Sequence, residues 1–317
     1  MLCVSFSENS VRYGQLIKQG NAFTVEVIGK RPLSVPFNET LIDNPNAVQS
    51  IESVLTQIRA DLPVPEKHLS VSIPSAFFDI SVNDLDANLN DDDIENALNW
   101  ASRTRLGSIA DKKFTQHYPL ATTEQNLKRY LSVSYFKEVG KILFSAAQPA
   151  GFNIDLLDIN IFSAANAIEQ IVQPKAKDKW GIWLVNEDRH SLLIVDSGEF
   201  RNYVEFQFLG DSEYTILSTA KADAHLETVI SELSSLRSYA IESLSSLNQL
   251  YFYSNDVDSD FFNMLETYEV ANLSVVDPFK NMKPVEQYKN DGEGVGAMCQ
   301  FSDVMGLIQR RMSGRRS

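Results

Sequence analysis

The sequence predicts an α/β fold of two similar lobes, with a small α+β module inserted into the first. Three observations predict it. A three-strand meander is spelled twice, about one domain's length apart. A helix and a buried strand follow the first copy. A stretch of different character then interrupts that rhythm before it resumes. The expected boundaries are residues 1–74 with 152–174 for the first lobe, 75–151 for the inserted module and 175–317 for the second lobe.

The first meander reads Leu2-Cys3-Val4-Ser5-Phe6, a polar turn from Ser7 to Ser10, a strand from Val11 to Leu16 and a third from Phe23 to Ile28. The second reads Gly181-Ile182-Trp183-Leu184-Val185, a polar turn from Asn186 to His190, a strand from Ser191 to Val195 and a third from Phe200 to Phe206. In both copies one glycine, Gly20 or Gly198, marks the turn between the second and third strands.

Asn44-Pro45 is a good helix start, and Ala47, Val48, Ile51, Val54, Leu55 and Ile58 follow as one apolar stripe. Past Pro63 and Pro65, the alternation of Leu69-Ser70-Val71-Ser72-Ile73 predicts a strand. The inserted module then offers strands near 76–82, 114–118 and 129–135, a helix near 91–105, and a helix over 137–150 closed by Gly151. A strand over 153–158 and a helix over 162–171 resume the first rhythm. Pro174 and the charged run to Lys179 form a linker. The second lobe continues with a helix carrying Leu226, Val229, Ile230, Leu233, Leu236, Ala240, Ile241 and Leu244 on one face. A strand at 250–253, a helix near 261–268, a strand at 271–276 and a small-residue segment over 292–299 complete it.

With 317 residues, 44% of them hydrophobic, the chain is long enough for at least two cores. A formal net charge of -14 argues against a nucleic-acid partner, which calls for clustered Lys and Arg. Two cysteines, Cys3 and Cys299, both in apolar runs, fit a reducing compartment. No apolar run approaches the ~20 residues of a membrane span, and no signal-type segment opens the chain. The expectation is a soluble cytoplasmic protein.

Motifs for chemistry are sparse. There is neither a phosphate loop ending in Gly-Lys-Ser/Thr nor a Gly-x-Ser-x-Gly elbow. Gly292-Glu293-Gly294-Val295-Gly296 follows no convincing strand and reads as close packing rather than a dinucleotide site. His68, His117, His190 and His225 lack metal-ligand spacing and read as surface or strand residues. Asp84, Asp86, Asn88, Asn90, Asp92 and Glu95 fall at calcium-loop positions, but Leu89 stands where that loop needs glycine and a strand precedes it. Capping of the next helix by Asn90 or Asp91 is the simpler reading. The C-terminal Arg310, Arg311, Arg315 and Arg316 are either a solvated end behind a packed helix or a contact to anionic lipid.

The duplicated meanders, the inserted module and the strand and turn near Ser254 resemble the actin-like ATPase fold. Within it the chain resembles the PilM-like type IV pilus assembly proteins, with the cell-division protein FtsA and the cytoplasmic domain of the type II secretion protein GspL as relatives. The echoes are Val71-Ser72-Ile73-Pro74, Leu131 to Tyr135 followed by Gln148-Pro149-Ala150-Gly151-Phe152, Leu157 to Ala164, Ile230 to Leu233, Asp277-Pro278-Phe279 and Val295-Gly296-Ala297-Met298.

The resemblance implies a nucleotide cleft and also its loss. An active member holds a metal with an Asp in each hairpin and cradles phosphate at a following Gly. Here the matching positions are Ser5 and Ser7 in the first hairpin and Leu184 and Asn186 in the second. The Gly-Gly turn that packs adenosine is matched by Ser254-Asn255, and the water-positioning residue by Asn160. Glu232 matches a ribose-contacting helix residue. Without both metal-holding carboxylates, phosphoryl transfer lacks its charge neutralisation. The resemblance therefore implies a non-catalytic scaffold with no catalytic residue, metal or cofactor. Its expected partner is a short N-terminal peptide of a PilN-like single-span inner-membrane protein, held at the cytoplasmic face, with peripheral membrane contact possible. The groove for that peptide would lie between first lobe and module, bordered by Ile73, Ala76, Phe77, Phe78, Tyr130, Tyr135 and Phe136. The alternative is an ATP- and magnesium-dependent enzyme or filament former whose acids stand elsewhere, with Asp158 and Asp196 as the nearest candidates.

Overall fold

In a computed structural model of the chain, the two halves build sheets of one topology. The described residues are 1–19, 22–122, 126–175, 177–186, 189–209, 213–221, 226–237, 240–255, 257–280 and 295–312. The first half opens with β1 (Leu2–Phe6), β2 (Ser10–Gln19), β3 (Ala22–Pro32), α1 (Ala47–Asp61) and β4 (His68–Ile73). The inserted module follows as β5 (Phe78–Asp86), α2 (Asp91–Leu106), β6 (Lys113–Leu120) and β7 (Leu127–Phe136). The chain returns through α3 (Lys137–Ala147), β8 (Asn153–Ile159) and α4 (Asn160–Ala167).

The second half runs β9 (Lys179–Leu184), β10 (His190–Asp196), β11 (Glu199–Phe208), β12 (Tyr214–Lys221), α5 (Leu226–Arg237), β13 (Gln249–Tyr253), α6 (Asp260–Thr267) and β14 (Leu273–Val275). It closes with α7 (Val295–Cys299) and α8 (Ser302–Met312). The first sheet is ordered β3-β2-β1-β4-β8 and the second β12-β11-β10-β9-β13-β14. Apart from the extra edge strand β12, which the sequence reading does not anticipate, the orders correspond strand for strand. Each lobe pairs its first strand antiparallel with its second and parallel with the strand after the first helix. Ser197 (φ 55°) and Gly198 (φ 79°) give the β10–β11 hairpin two consecutive left-handed residues, the geometry that matches strand twist.

Strand alternation sends β1 side chains to two different cores. Leu2, Val4 and Phe6 pack with α1 and α3, whereas Cys3 packs with Val304, Leu307 and Ile308 of α8. The first lobe is thus covered on one face by α1 and α3 and on the other by α4 and α8. Gly306 lets α8 meet α4 backbone to backbone, because a Cβ there would lie 1.6 Å from the Ser163 carbonyl oxygen.

Three details differ from the sequence reading. The helix α3 contributes Val139, Ile142, Leu143, Ala146 and Ala147 to the first-lobe core. Its stripe at i, i+3, i+4, i+7 and i+8 fits α1, so it does not belong to the inserted module's own packing. The helix α5 ends at Arg237, so the run to Leu244 is not one helix. Of the two readings for His190 the strand one holds and the surface one does not: it opens β10 and is buried among Trp183, Phe206, Phe208 and Phe261. The acidic stretch does cap α2, with the Asn90 side chain accepting from the Asp93 amide. Gly20, His225 and Gly292 to Gly294 lie outside the described residues.

Candidate functional site

At the base of the cleft between the lobes, sheet register places Ser5 of β1 opposite Arg12 of β2. Both point toward α8, since Ser5 lies two residues from Cys3 on the same face. The Arg12 guanidinium donates from Nη2 to Ser5 Oγ (2.8 Å) and to Asp303 Oδ2 (2.9 Å). From Nη1 it donates to the Gln300 carbonyl oxygen (2.6 Å) and to the Asn255 side chain. Ser5 in turn donates to Asp303 (2.6 Å), and Asn160 Nδ2 donates to the Phe6 carbonyl oxygen (2.8 Å). The side chains of Arg12 and Asp303 are fully buried. Burial pushes the Asp303 carboxyl upward, while the Arg12 charge and the Ser5 hydroxyl pull it back.

The second hairpin presents the same register with other chemistry. Leu184 of β9 stands opposite Ser191 of β10. Ser191 and Ser75 share a hydroxyl contact of 3.0 Å, and Ser75 donates to Glu205 (2.5 Å). Arg189 then bridges the mouth, donating to Glu205 (3.0 Å) on its own lobe and to Glu39 (3.1 Å) on the other. The cleft above these groups measures about 1050 Å³.

Ser5, Ser7, Asn160, Leu184, Asn186, Ser254 and Asn255 are the positions matched to nucleotide-binding residues. All but Ser5 and Ser254 line this cleft, and Ser5 and Ser254 are fully buried. Glu232 does not line it. Its carboxylate is spent on the backbone and hydroxyls of Ser245 and Ser246. Burial would raise its pKa, but those hydrogen bonds outweigh burial and hold it below the usual carboxylate range. Asp158 and Asp196 are also away from the cleft: Asp158 pairs with Arg310, and Asp196 accepts from Ser197. Among the described residues no group of three or more His, Cys, Asp or Glu is placed to hold a metal ion.

Arg12 and Asp303 escape the sequence reading. The signals available were an arginine within an apolar strand and an aspartate within the apolar run from Phe301 to Ile308. Neither reveals that the two meet across 291 positions of chain.

A second cavity, of about 630 Å³, opens between the first lobe, the inserted module and the β10–β11 hairpin. Its floor is one face of the module's sheet, through Gln116 and Tyr118 of β6 and Val133 and Tyr135 of β7. Along its side, all five residues from Asp155 to Ile159 of β8 border it. Successive strand residues point to opposite faces, so this lining marks the strand's edge. Both β8 and β6 are terminal strands of their sheets. Phe162 of α4 and Phe200 of β11, stacked with centroids 6.2 Å apart, form the remaining wall.

Of the expected groove residues, Phe78 and Tyr135 line this cavity. Ile73 and Phe77 are buried in the first-lobe core, and Ala76 lines the cleft instead. Tyr130 stands in register between Asn83 and Pro119, away from the cavity lining. Phe136 packs on the first-lobe core under Lys113. The helix and sheet packing of the first lobe claims these apolar side chains. Arg310 and Arg311 of the C-terminal cluster pair with Asp158 and Asp155, and so are held against the first lobe rather than offered to lipid. Arg315 and Arg316 lie outside the described residues.

No protein-family model matches the chain, and no curated protein matches it in sequence. In structure it is similar to a chain of the PilM-PilN type IV pilus biogenesis complex, with a TM-score of 0.71 at 12% identity, over 98% of this chain and 97% of that one. It is also similar to the cytoplasmic domain of EpsL, an inner-membrane component of the type II secretion system of Vibrio cholerae (TM-score 0.47, 10% identity, 100% and 96% covered). A Bacteroides thetaiotaomicron protein described as having an actin-like ATPase fold matches with a TM-score of 0.43 (9% identity, 92% and 95% covered). The chain has the duplicated, two-lobed actin-like fold. Among the described residues no helix is long and apolar enough to cross a membrane.

Proposed function

We propose that this actin-like chain is a non-catalytic scaffold of a bacterial pilus- or secretion-type envelope machine, holding an extended segment of an inner-membrane partner in the groove beside β8. The observation that carries the proposal is the pairing of an open strand edge with an apolar floor. An added strand takes its affinity from main-chain hydrogen bonds to the β8 edge and its specificity from side-chain pockets such as that between Phe162 and Phe200. The fold shared with a chain of the PilM-PilN complex supports a PilN-like partner, and on this proposal that partner is single-span and the chain sits at the cytoplasmic face of the inner membrane.

The cleft chemistry supports the non-catalytic half of the proposal. A magnesium-bound nucleotide needs carboxylates facing it, and the matched positions are Ser5 and Leu184, while Glu8, Glu39 and Glu205, which do line the cleft, are engaged by Asn38, Arg189 and Ser75. Asp303 does not fit that role either, because its carboxylate is already neutralised by the Arg12 guanidinium. A divalent ion beside that guanidinium would meet like charge.

The test is capture from detergent-solubilised bacterial membranes by the tagged full chain. A single-span protein is expected with the wild type and is lost when Asn166→Trp fills the groove; recovery of none overturns the scaffold. Calorimetry with ATP and magnesium tests the other half. Silence is expected, and micromolar binding would favour an ATP-binding enzyme or filament former.

A further inference from the structure

The chain carries its own charge pair at the base of the cleft. Arg12 lies on β2 of the first sheet, yet its guanidinium bonds Ser5 of β1, Asn255 just beyond β13 of the second sheet, and both Gln300 and Asp303 at the start of α8. Four hydrogen bonds thus converge from both lobes and from the last helix on one side chain. Ser5 occupies the position where the resemblance places a metal-holding carboxylate. The carboxylate there comes instead from Asp303, 2.6 Å from Ser5 Oγ, and the positive charge comes from Arg12.

We infer that Arg12, anchored in the first lobe by Ser5 and Asp303 and bonded to Asn255 of the second, is a built-in latch that holds the lobes closed over the cleft with no bound ligand. A cleft closed by a ligand is closed only in proportion to occupancy, since the ligand shifts a population by its differential affinity. A latch within one chain has no such concentration dependence. The buried Asp303 carboxylate fixes the guanidinium in that position, since drawing Arg12 away from it would leave an uncompensated charge. At the mouth, Ser75 with Glu205 and Arg189 with Glu39 bridge the lobes a second time, on the opposite side of the cleft. The cleft is therefore spanned at its base and at its rim by protein groups alone.

Spin labels at Asn9→Cys and Leu217→Cys, on opposite rims, read the closure directly in the full chain. The native Cys3 and Cys299 do not compete, being buried with thiols pushed up to about 12. The wild type is expected to give one narrow distance, unchanged by millimolar magnesium-ATP. Arg12→Met is expected to broaden and lengthen it, and Asn255→Ala to do so to a smaller degree. Amide protection over β1, β2 and β13 should fall about 150- to 4,000-fold in Arg12→Met, while α1 keeps its protection. Should Arg12→Met not fold, Asn255→Ala decides alone. A narrow distance in every folded variant overturns the latch, as does a broad wild-type distance that narrows when nucleotide is added.

Discussion

The cross-strand pairs Ser5–Arg12 and Leu184–Ser191 occupy one register position in two hairpins of the same topology, and opposite chemistry fixes them. The first is the centre of a dry ionic network that reaches α8. The second is an apolar side chain beside a pair of hydroxyls that end on the buried Glu205 carboxylate, itself met by Arg189 at the rim, and it is backed by an aromatic cluster around His190. A duplicated backbone evidently sets where these side chains meet, while each lobe is free to stabilise the meeting differently. The ionic solution suits the first hairpin because α8 brings a carboxylate to it. The second hairpin meets α4 instead, which brings the apolar Ile161, Ala164 and Ala165 to it, and it closes on aliphatic and aromatic packing.

Breaking the first pair gives the largest expected effect. Arg12→Met should cost about 3–5 kcal/mol in urea unfolding, by leaving Asp303 buried and unpaired. The double variant Arg12→Met/Asp303→Leu should recover most of that loss, because two apolar groups of similar volume carry no desolvation penalty. If the double variant is no better than the single, the cost is one of packing and the contrast between the hairpins is shape rather than charge.

On the second hairpin, Ser75→Ala removes the donor to buried Glu205 and should cost about 1.5–3 kcal/mol. The pH response of His190 sharpens the contrast further. Burial, and then the Arg237 charge, push its pKa down from 6.5 to about 3, so the folded imidazole stays neutral while the unfolded one takes up a proton. Stability is therefore lost as pH falls from about 6.5 toward 3, on the order of 2 kcal/mol by pH 5. The difference between wild type and His190→Phe, followed by urea unfolding at several pH values, isolates this effect. The smallest effect belongs to the rim: Glu39→Gln should cost under about 1 kcal/mol, since Glu39 is exposed and its partner Arg189 partly so.

The meanders were legible because alternation and turn residues are local. Leu2 to Phe6 and Gly181 to Val185 declare themselves as buried strands, and Ser5 and Leu184 could be matched before any contact was visible. The charge network was not legible, since nothing near Arg12 announces a partner 291 positions away. The cavity beside β8 was legible only in outline. Phe78 and Tyr135 line it, but Ile73 and Phe77 read equally well as groove or core, and packing against α1 and α3 decides for core. Glu232 misled because a carboxylate on a helix is equally suited to a ligand or to the loop of Ser245 and Ser246.

The position of α8 also bears on how the protein is made. Ser5 and Asp303 are 298 positions apart, and α8 closes a face of the first lobe's sheet. At 5–20 residues per second, a ribosome needs about 15–60 s between emitting one partner and the other. Throughout that interval Cys3, Leu16 and Ile28 are without their cover and Arg12 is without its counter-ion. The first lobe is thus the first to be synthesised and the last to be completed, and a chain ended before Ser302 would lack a finished version of either of its first two strands.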